Sequence, residues 1–246
     1  MIIYLVEYKP GTLTFDEPQP SHWGVTVVRW DKKDPLPTTA GKKFAVWRWG
    51  YSGEIAGEEN ATLIINPRLA VLGTSNKTLM KEILLKTQEI VTPPVLAEGP
   101  VIVKRVFHSG GRGAMIFDKG YYVERFVPVD QEFRVYVFGG RTVLRKKVWV
   151  GPYRGTLERG EIRSRSRGWR IRYDPPTTEE SSQVRNMAVR AVKALGLHSG
   201  AVDVGVKGSE ATVFEVNSGP RIEASYISNW YLEKAIDFVE SMTGGA

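Results

Sequence analysis

The run from Ala211 to Ser225, ATVFEVNSGPRIEAS, places Glu215 and Asn217 one strand period apart. A carboxylate and an amide so spaced lie on the same side of an extended chain. Both are hard oxygen donors of the kind that Mg²⁺ takes. A third donor stands just upstream, because Gly200 to Pro220, GAVDVGVKGSEATVFEVNSGP, has the pattern of a hairpin. Pairing Lys207 with Ala211 around a three-residue loop, Gly208-Ser209-Glu210, sets Asp203 opposite Glu215. Val202, Val204 and Val206 then share an apolar face with Thr212, Phe214 and Val216. Asp203, Val213, Glu215 and Asn217 take the other face, and a slip of one residue would separate the two acids. Carboxylates held together repel unless positive charge lies between them. Mg²⁺ is one source of that charge; ion pairs with the chain's many arginines are the other.

Upstream residues suit phosphate. VIVKRVFHSGGRGAMIF, Val101 to Phe117, runs strand, loop, strand. Gly110, Gly111 and Gly113, with Ser109, would let backbone N–H groups approach phosphate oxygens, and Lys104 ends the strand before them. A plain hairpin turn reads the same way. The stretch is neither a Walker loop nor a dinucleotide fingerprint opening a helix. Next comes YYVERFVPVDQEFRVYVF, in which Glu124, Phe126 and Val127 end an apolar strand. Backbone groups there could meet an adenine edge and Glu132 a ribose; a solvated charge cluster is the alternative.

These residues need elements to position them. Before Thr74 the chain has short β-like runs (2–8, 24–30, 44–49, 61–65) between Pro- and Gly-rich turns. From Thr74 the period changes: Met80, Ile83, Leu84 and Thr87 share a helical face behind Ser75 or Asn76 as N-cap, and Pro93-Pro94 close the segment. EFRVYVFGGRTVLRKKVWVG, residues 132–151, reads as a hairpin turning at Gly139-Gly140. Two more helices carry Val184 to Leu195, with Gly196 as C-terminal cap, and Tyr231 to Met242. The chain is therefore α+β, with divisions near 75 and 127.

Composition narrows the chemistry. The 246 residues include no cysteine, which removes disulfides, thiol nucleophiles and thiolate metal sites. Three scattered histidines, His22, His108 and His198, leave little for a zinc site or a Ser-His-Asp triad. No apolar run is long enough to span a bilayer, and MIIYLVEY is too short for a signal peptide, so a cytoplasmic protein is expected. A net charge of +7 points to an anionic partner.

The order of these elements resembles the ATP-grasp superfamily, and within it the branch of the ribosomal-protein glutamate ligase and glutathione synthetase. FEVNSGP is similar to that branch's E-V-N-x-S-P element and SGAVDVGV to its A-G-V-D strand. VIVKRVFHSGGRGAMIF is similar to its V-V-K…G-x-G-V element, and TSNKTLMKEIL to the helix that opens the grasp. The resemblance covers residues 66 to 243 and implies an ATP-grasp fold: two α+β lobes clasping ATP, 76–127 and 128–246, after a small β-rich N-terminal domain, 1–75. It implies that Lys77 and Lys104 contact phosphates and that the loop with Ser109, Gly110, Gly111 and Gly113 closes over the triphosphate. Glu124, Phe126 and Val127 would hold adenine and Glu132 ribose. Asp203, Glu215 and Asn217 would ligate Mg²⁺ or Mn²⁺.

The activity so implied is ATP-dependent ligation of a carboxylate to an amine through an acylphosphate. Positive side chains would hold the anionic carboxylate, the candidates being Arg145 with Lys147, Arg163, Arg167 and Arg221. At strand spacing Arg163, Arg165 and Arg167 share a face, which a solvated edge strand would also explain. The amine could be a small molecule, a peptide or a protein tail. Two other readings stand beside this one. A nucleic-acid-binding module would use the charge and RSRSRGWRIR, and would bind with steep salt dependence. A pseudo-enzyme of the same fold would bind ATP without turnover.

Overall fold

A computed structural model describes residues 1–15, 19–20, 24–37, 43–93, 101–105, 121–151, 163, 168–172, 180–222 and 224–244, with backbone alone at 19–20, 101–105, 121–122 and 180–181. The β-rich beginning of the chain folds as a five-stranded sheet of order β2-β3-β1-β4-β5. Its strands are β1 (Ile2–Glu7), β2 (Gln19–Pro20), β3 (Thr26–Arg29), β4 (Phe44–Trp49) and β5 (Leu63–Ile65). β1 runs parallel to β3 and β4, and β4 parallel to β5, while β2 is antiparallel. Parallel sheets bury both faces, and the alternation of β1 and β4 follows that rule. Ile3, Leu5, Ala45, Trp47 and Trp49 point into one core; Tyr4, Val6, Phe44 and Val46 point into another with Leu36 and Ile55. Arg48, fully buried on the second face, is neutralised by Glu58 at 2.5 and 2.6 Å.

Antiparallel strands β8 (Gln131–Phe138), β9 (Arg141–Trp149), β10 (Trp169–Arg172), β11 (Ser199–Lys207) and β12 (Glu210–Asn217) form a second sheet, β10-β9-β8-β11-β12. Gly139 and Gly140 turn the β8–β9 hairpin as the sequence predicts, both with positive φ that only glycine adopts without strain. One face of this sheet packs on α3 (Glu180–Ala194) through Phe133, Val135, Val137, Val202, Val204 and Val213. On the other face, Tyr136, Phe138 and Ala201 join the core of the first sheet together with Tyr231 and Leu232 of α4 (Ser225–Thr243). A separate hairpin pairs β6 (Val101–Arg105) with β7 (Tyr121–Arg125). No helix among the described residues is long and apolar enough to cross a membrane.

Helix α2 (Lys77–Lys86) starts at Asn76, whose side chain accepts from the amides of Thr78 and Leu79; of the two candidate caps, Asn76 therefore serves. Before it stands α1 (Arg68–Ser75), which the sequence pattern does not reveal, and α4 begins six residues before the periodic run at Tyr231.

The two sheets are joined at Asn66, fully buried and in the left-handed region at φ 58°. Its amide oxygen accepts from the N–H groups of His198 and Ser199, each at 2.9 Å. Its amide nitrogen donates to the Arg48 and Ser199 carbonyls and to Ser199 Oγ at 3.2, 3.0 and 2.9 Å. The Asn66 backbone N–H donates to His198 Nδ1, which must therefore be unprotonated, and burial pushes this imidazole below its usual pKa. One carboxamide thus satisfies backbone groups from β4 and the start of β11.

Candidate active site

The face of the second sheet that carries Tyr136 and Ala201 changes character one row further along. Register pairs Arg145 with Arg134, Arg134 with Asp203, and Asp203 with Glu215, so four charged side chains cross four strands in a line. Asn217 lies opposite Ala201, one row nearer the apolar core. The next row holds Glu132, opposite Gly205, in an ion pair with Lys147.

The register of Asp203 and Glu215 is the expected one, reached by a different route. Lys207 pairs with Glu210 around a two-residue turn, Gly208-Ser209, with Gly208 at φ 56°. That turn shifts the strands by one residue relative to a three-residue loop, which alone would put the acids on opposite faces. A β-bulge after Asp203 absorbs the shift, leaving Phe214 without a partner. The apolar face of β12 is consequently Ala211, Val213 and Val216, and not Thr212, Phe214 and Val216. Phe214 lies over Gly205: a Cβ built there would come within 2.5 Å of its ring and 2.7 Å of Val129 Cγ1. Gly205→Ala should therefore destabilise the protein by ~1–3 kcal/mol in urea unfolding, although alanine packs where glycine cannot in an ordinary strand. An unchanged midpoint would mean that Phe214 is free to move aside.

Asp203 is buried and both its oxygens are engaged. Arg134 grips it with Nε and Nη2, each at 2.8 Å, and Lys147 Nζ lies 3.2 Å from Oδ2. Burial works to raise the Asp203 carboxyl, but the Arg134 guanidinium and then the Lys147 ammonium hold it well below the usual range. Glu132, the neighbouring acid, is pushed up by burial against the opposing charge of Lys147. Glu215 meets a different cation: its Oε1 lies 2.9 Å from the buried Lys77 Nζ, and Lys77 also donates to the Thr74 carbonyl. Backbone register brings Asp203, Glu215 and Asn217 together, while cations occupy both carboxylates. In kind these residues fit a hard divalent ion, two acids and an amide being what Mg²⁺ takes beside phosphates and water. Lys77, Arg134 and Lys147 are the charges it would share them with.

The other expected positions are distributed around this row. Glu124, at the end of β7, is buried and paired at 3.1 Å with Lys81 of α2. Lys81 also donates to Thr92 Oγ1, and Thr92 bonds the Val213 carbonyl, so helix α2 ties β7 to β12. Phe126 and Val127 follow, both half-buried. Lys104 lies on β6 opposite Tyr122, described in its backbone only. Ser109, Gly110, Gly111, Gly113 and Arg167 lie outside the described residues, as does Arg165.

Of the arginines, Arg145 lies in the charged row. Arg163 is tied to the carbonyls of Val129 and Asp130 and stacks 4.8 Å over Trp169. Arg221 is exposed on the loop after β12, beside the first sheet: Gly219 packs on the Gly50 backbone and Trp49 Nε1 bonds the Pro220 carbonyl.

Sequence reading passed over Arg134 and Lys81 as site residues. Each carried a signal: Arg134 is one strand period from Glu132, and Lys81 is one helical turn from Lys77, on the face of Met80 and Leu84.

No protein-family model matches the chain and no curated protein sequence does. Solved structures do match. D-alanine–D-alanine ligase from Bacillus anthracis complexed with ATP is 14% identical with a TM-score of 0.65, covering 98% of this chain and 97% of that one. The RimK domain protein ATP-grasp from Sphaerobacter thermophilus is 14% identical with a TM-score of 0.57, covering 96% of each chain. The macrocyclase MdnC from Microcystis aeruginosa, bound with precursor peptide MdnA, is 14% identical with a TM-score of 0.57, covering 95% of this chain and 98% of that one. The fold is that of the ATP-grasp ligases.

Proposed function

We propose that this chain is an ATP-dependent carboxylate–amine ligase working through an acylphosphate. The observation that carries the reading is the charged row Arg145–Arg134–Asp203–Glu215 beside Asn217, on one face of a sheet in an ATP-grasp fold. A substrate carboxylate oxygen attacks the γ-phosphorus and the bond to ADP breaks. An amine nitrogen then attacks the acyl carbon, the C–O bond to phosphate breaks, and the amine proton passes to solvent.

The difficulty is electrostatic, since a carboxylate must approach a triphosphate. Lys77, Lys104 and the loop through Ser109, Gly110, Gly111 and Gly113 take the phosphates. Glu124, Phe126 and Val127 take the adenine, and Glu132 the ribose. Asp203, Glu215 and Asn217 hold Mg²⁺ or Mn²⁺, which neutralises phosphate charge when bound. Arg145 holds the carboxylate in this reading, and Arg163, Arg167 and Arg221 extend the positive field toward the rest of the substrate. The parts are the sheet of residues 1–75 and two lobes, 76–127 and 128–246, acting in the cytoplasm. One structural neighbour holds a precursor peptide, which supports a peptide or protein tail as a partner.

Hydroxylamine tests the reading because it intercepts acylphosphates as hydroxamates. With ATP, Mg²⁺ and a panel of amino acids and acidic peptides, at least one carboxylate should yield hydroxamate and ADP in equal amounts. ATP binding with no hydroxamate from any donor would instead indicate a pseudo-enzyme.

A further inference from the structure

Arg145 differs from its neighbours in the row. Arg134 is neutralised by Asp203, Lys147 by Glu132 and Asp203, and Lys77 by Glu215. Arg145 has no carboxylate among the described residues. Its bonds run to the Leu144 carbonyl at 2.7 Å and to the Tyr226 hydroxyl, which accepts from Nε at 2.5 Å. Tyr226 also sets its ring 5.1 Å from the guanidinium carbon. A tyrosine hydroxyl and a ring face hold an arginine in place without cancelling its charge. The positive field is felt nearby: Arg185, bonded to Thr142, is pushed below its usual pKa by burial and then by the Arg145 charge.

Tyr226 reaches this position from the opposite direction in the chain. It is the second residue of α4, whose next residues, Ile227 and Tyr231, are buried in the core shared with the first sheet. That anchoring fixes where the ring can go. Arg145 comes from β9, in register with Arg134 and hence on the same face as Asp203. The guanidinium, with no carboxylate partner among the described residues, therefore stands where the apolar core ends and the acid row begins; its Nε and one Nη1 N–H are engaged, and its other terminal N–H groups can meet a planar anion.

We propose that Tyr226 is a positioning residue that holds Arg145 as a receptor for a carboxylate, making this corner the subsite of the carboxylate substrate. The substrate class follows from the receptor. One guanidinium with its Nε donating to Tyr226 and one Nη1 N–H to the Leu144 carbonyl presents its other terminal N–H groups to a single carboxylate. This rests on the ligase reading for its purpose, but the binding it claims does not require turnover.

The test uses N-acetyl-L-glutamate as the probe and phenylglyoxal, an arginine-selective reagent, with modification at residue 145 read by peptide mass spectrometry. In the wild-type protein with the non-hydrolysable analogue AMP-PNP and Mg²⁺, N-acetyl-L-glutamate should slow modification of Arg145. In Tyr226→Phe the concentration needed for half-protection should rise about tenfold, the effect of losing one hydrogen bond to a charged group. Tyr226→Leu, which also removes the ring, should raise it further. AMP-PNP affinity and the urea midpoint should stay within error in the Phe variant, which a purely structural role would not separate from probe binding. Absence of protection in the wild type, or equal protection in wild type and Tyr226→Phe, overturns the proposal. A failure of the ligase reading shows itself differently, as no hydroxamate from any donor while protection persists.

Discussion

Glu215→Gln is expected to lose at least ~10³-fold in hydroxamate formation, because several kcal/mol of phosphate-charge neutralisation depend on that carboxylate. The substitution keeps the shape of the side chain and removes one charge from the pair with Lys77. Lys77 is 4% exposed, so its ammonium would be left buried beside a neutral amide. Two effects are therefore mixed, and they separate by measurement. Mn²⁺ binding in the presence of AMP-PNP, followed by electron paramagnetic resonance, should weaken in Glu215→Gln. A second variant, Lys77→Met with Glu215→Gln, removes the buried charge and should recover stability without recovering turnover. Full turnover in Glu215→Gln would refute the assignment of this row as the reacting centre, whatever its effect on folding.

Asn66→Ala should be the most costly single change to stability, by about 3–5 kcal/mol in urea unfolding. Four hydrogen-bonding groups of the two sheets, the amides of His198 and Ser199 and the carbonyls of Arg48 and Ser199, would lose a buried partner. Each such loss costs ~1–3 kcal/mol where water cannot enter, and relaxation recovers part of it. The backbone adds a separate term. At φ 58° alanine is strained by ~1–2 kcal/mol and glycine is not. Asn66→Gly should accordingly be the less damaging of the two by about that margin. An Ala variant within 1 kcal/mol of wild type would show that the sheets are held by their apolar core alone.

Most of the elements were legible because their signals are local. The alternation of Ile3, Leu5 against Tyr4, Val6 requires only neighbours two apart, and the helical faces of 77–86 and 184–195 only neighbours three and four apart. Helix α1 was not legible: it is eight residues long, begins after Pro67 and contains Gly73, so its pattern covers barely two turns. The parallel course of β1, β3 and β4 was also hidden, since pairing direction is decided by connections rather than by strand composition.

The sequence by itself determined which residues can share a face: Glu215 with Asn217, Glu132 with Arg134, Lys77 with Lys81. It determined too that no thiol or histidine cluster competes with oxygen and nitrogen chemistry. Tertiary structure decided which charges meet. Asp203 finds Arg134, 69 residues away, and Arg145 finds Tyr226, 81 residues away. It also decided how the acids keep their register, through a bulge that spacing cannot announce. The reason is physical. Periodicity follows from the backbone geometry of a few consecutive residues, whereas an ion pair depends on where separate strands and helices come to rest once apolar burial has chosen their packing.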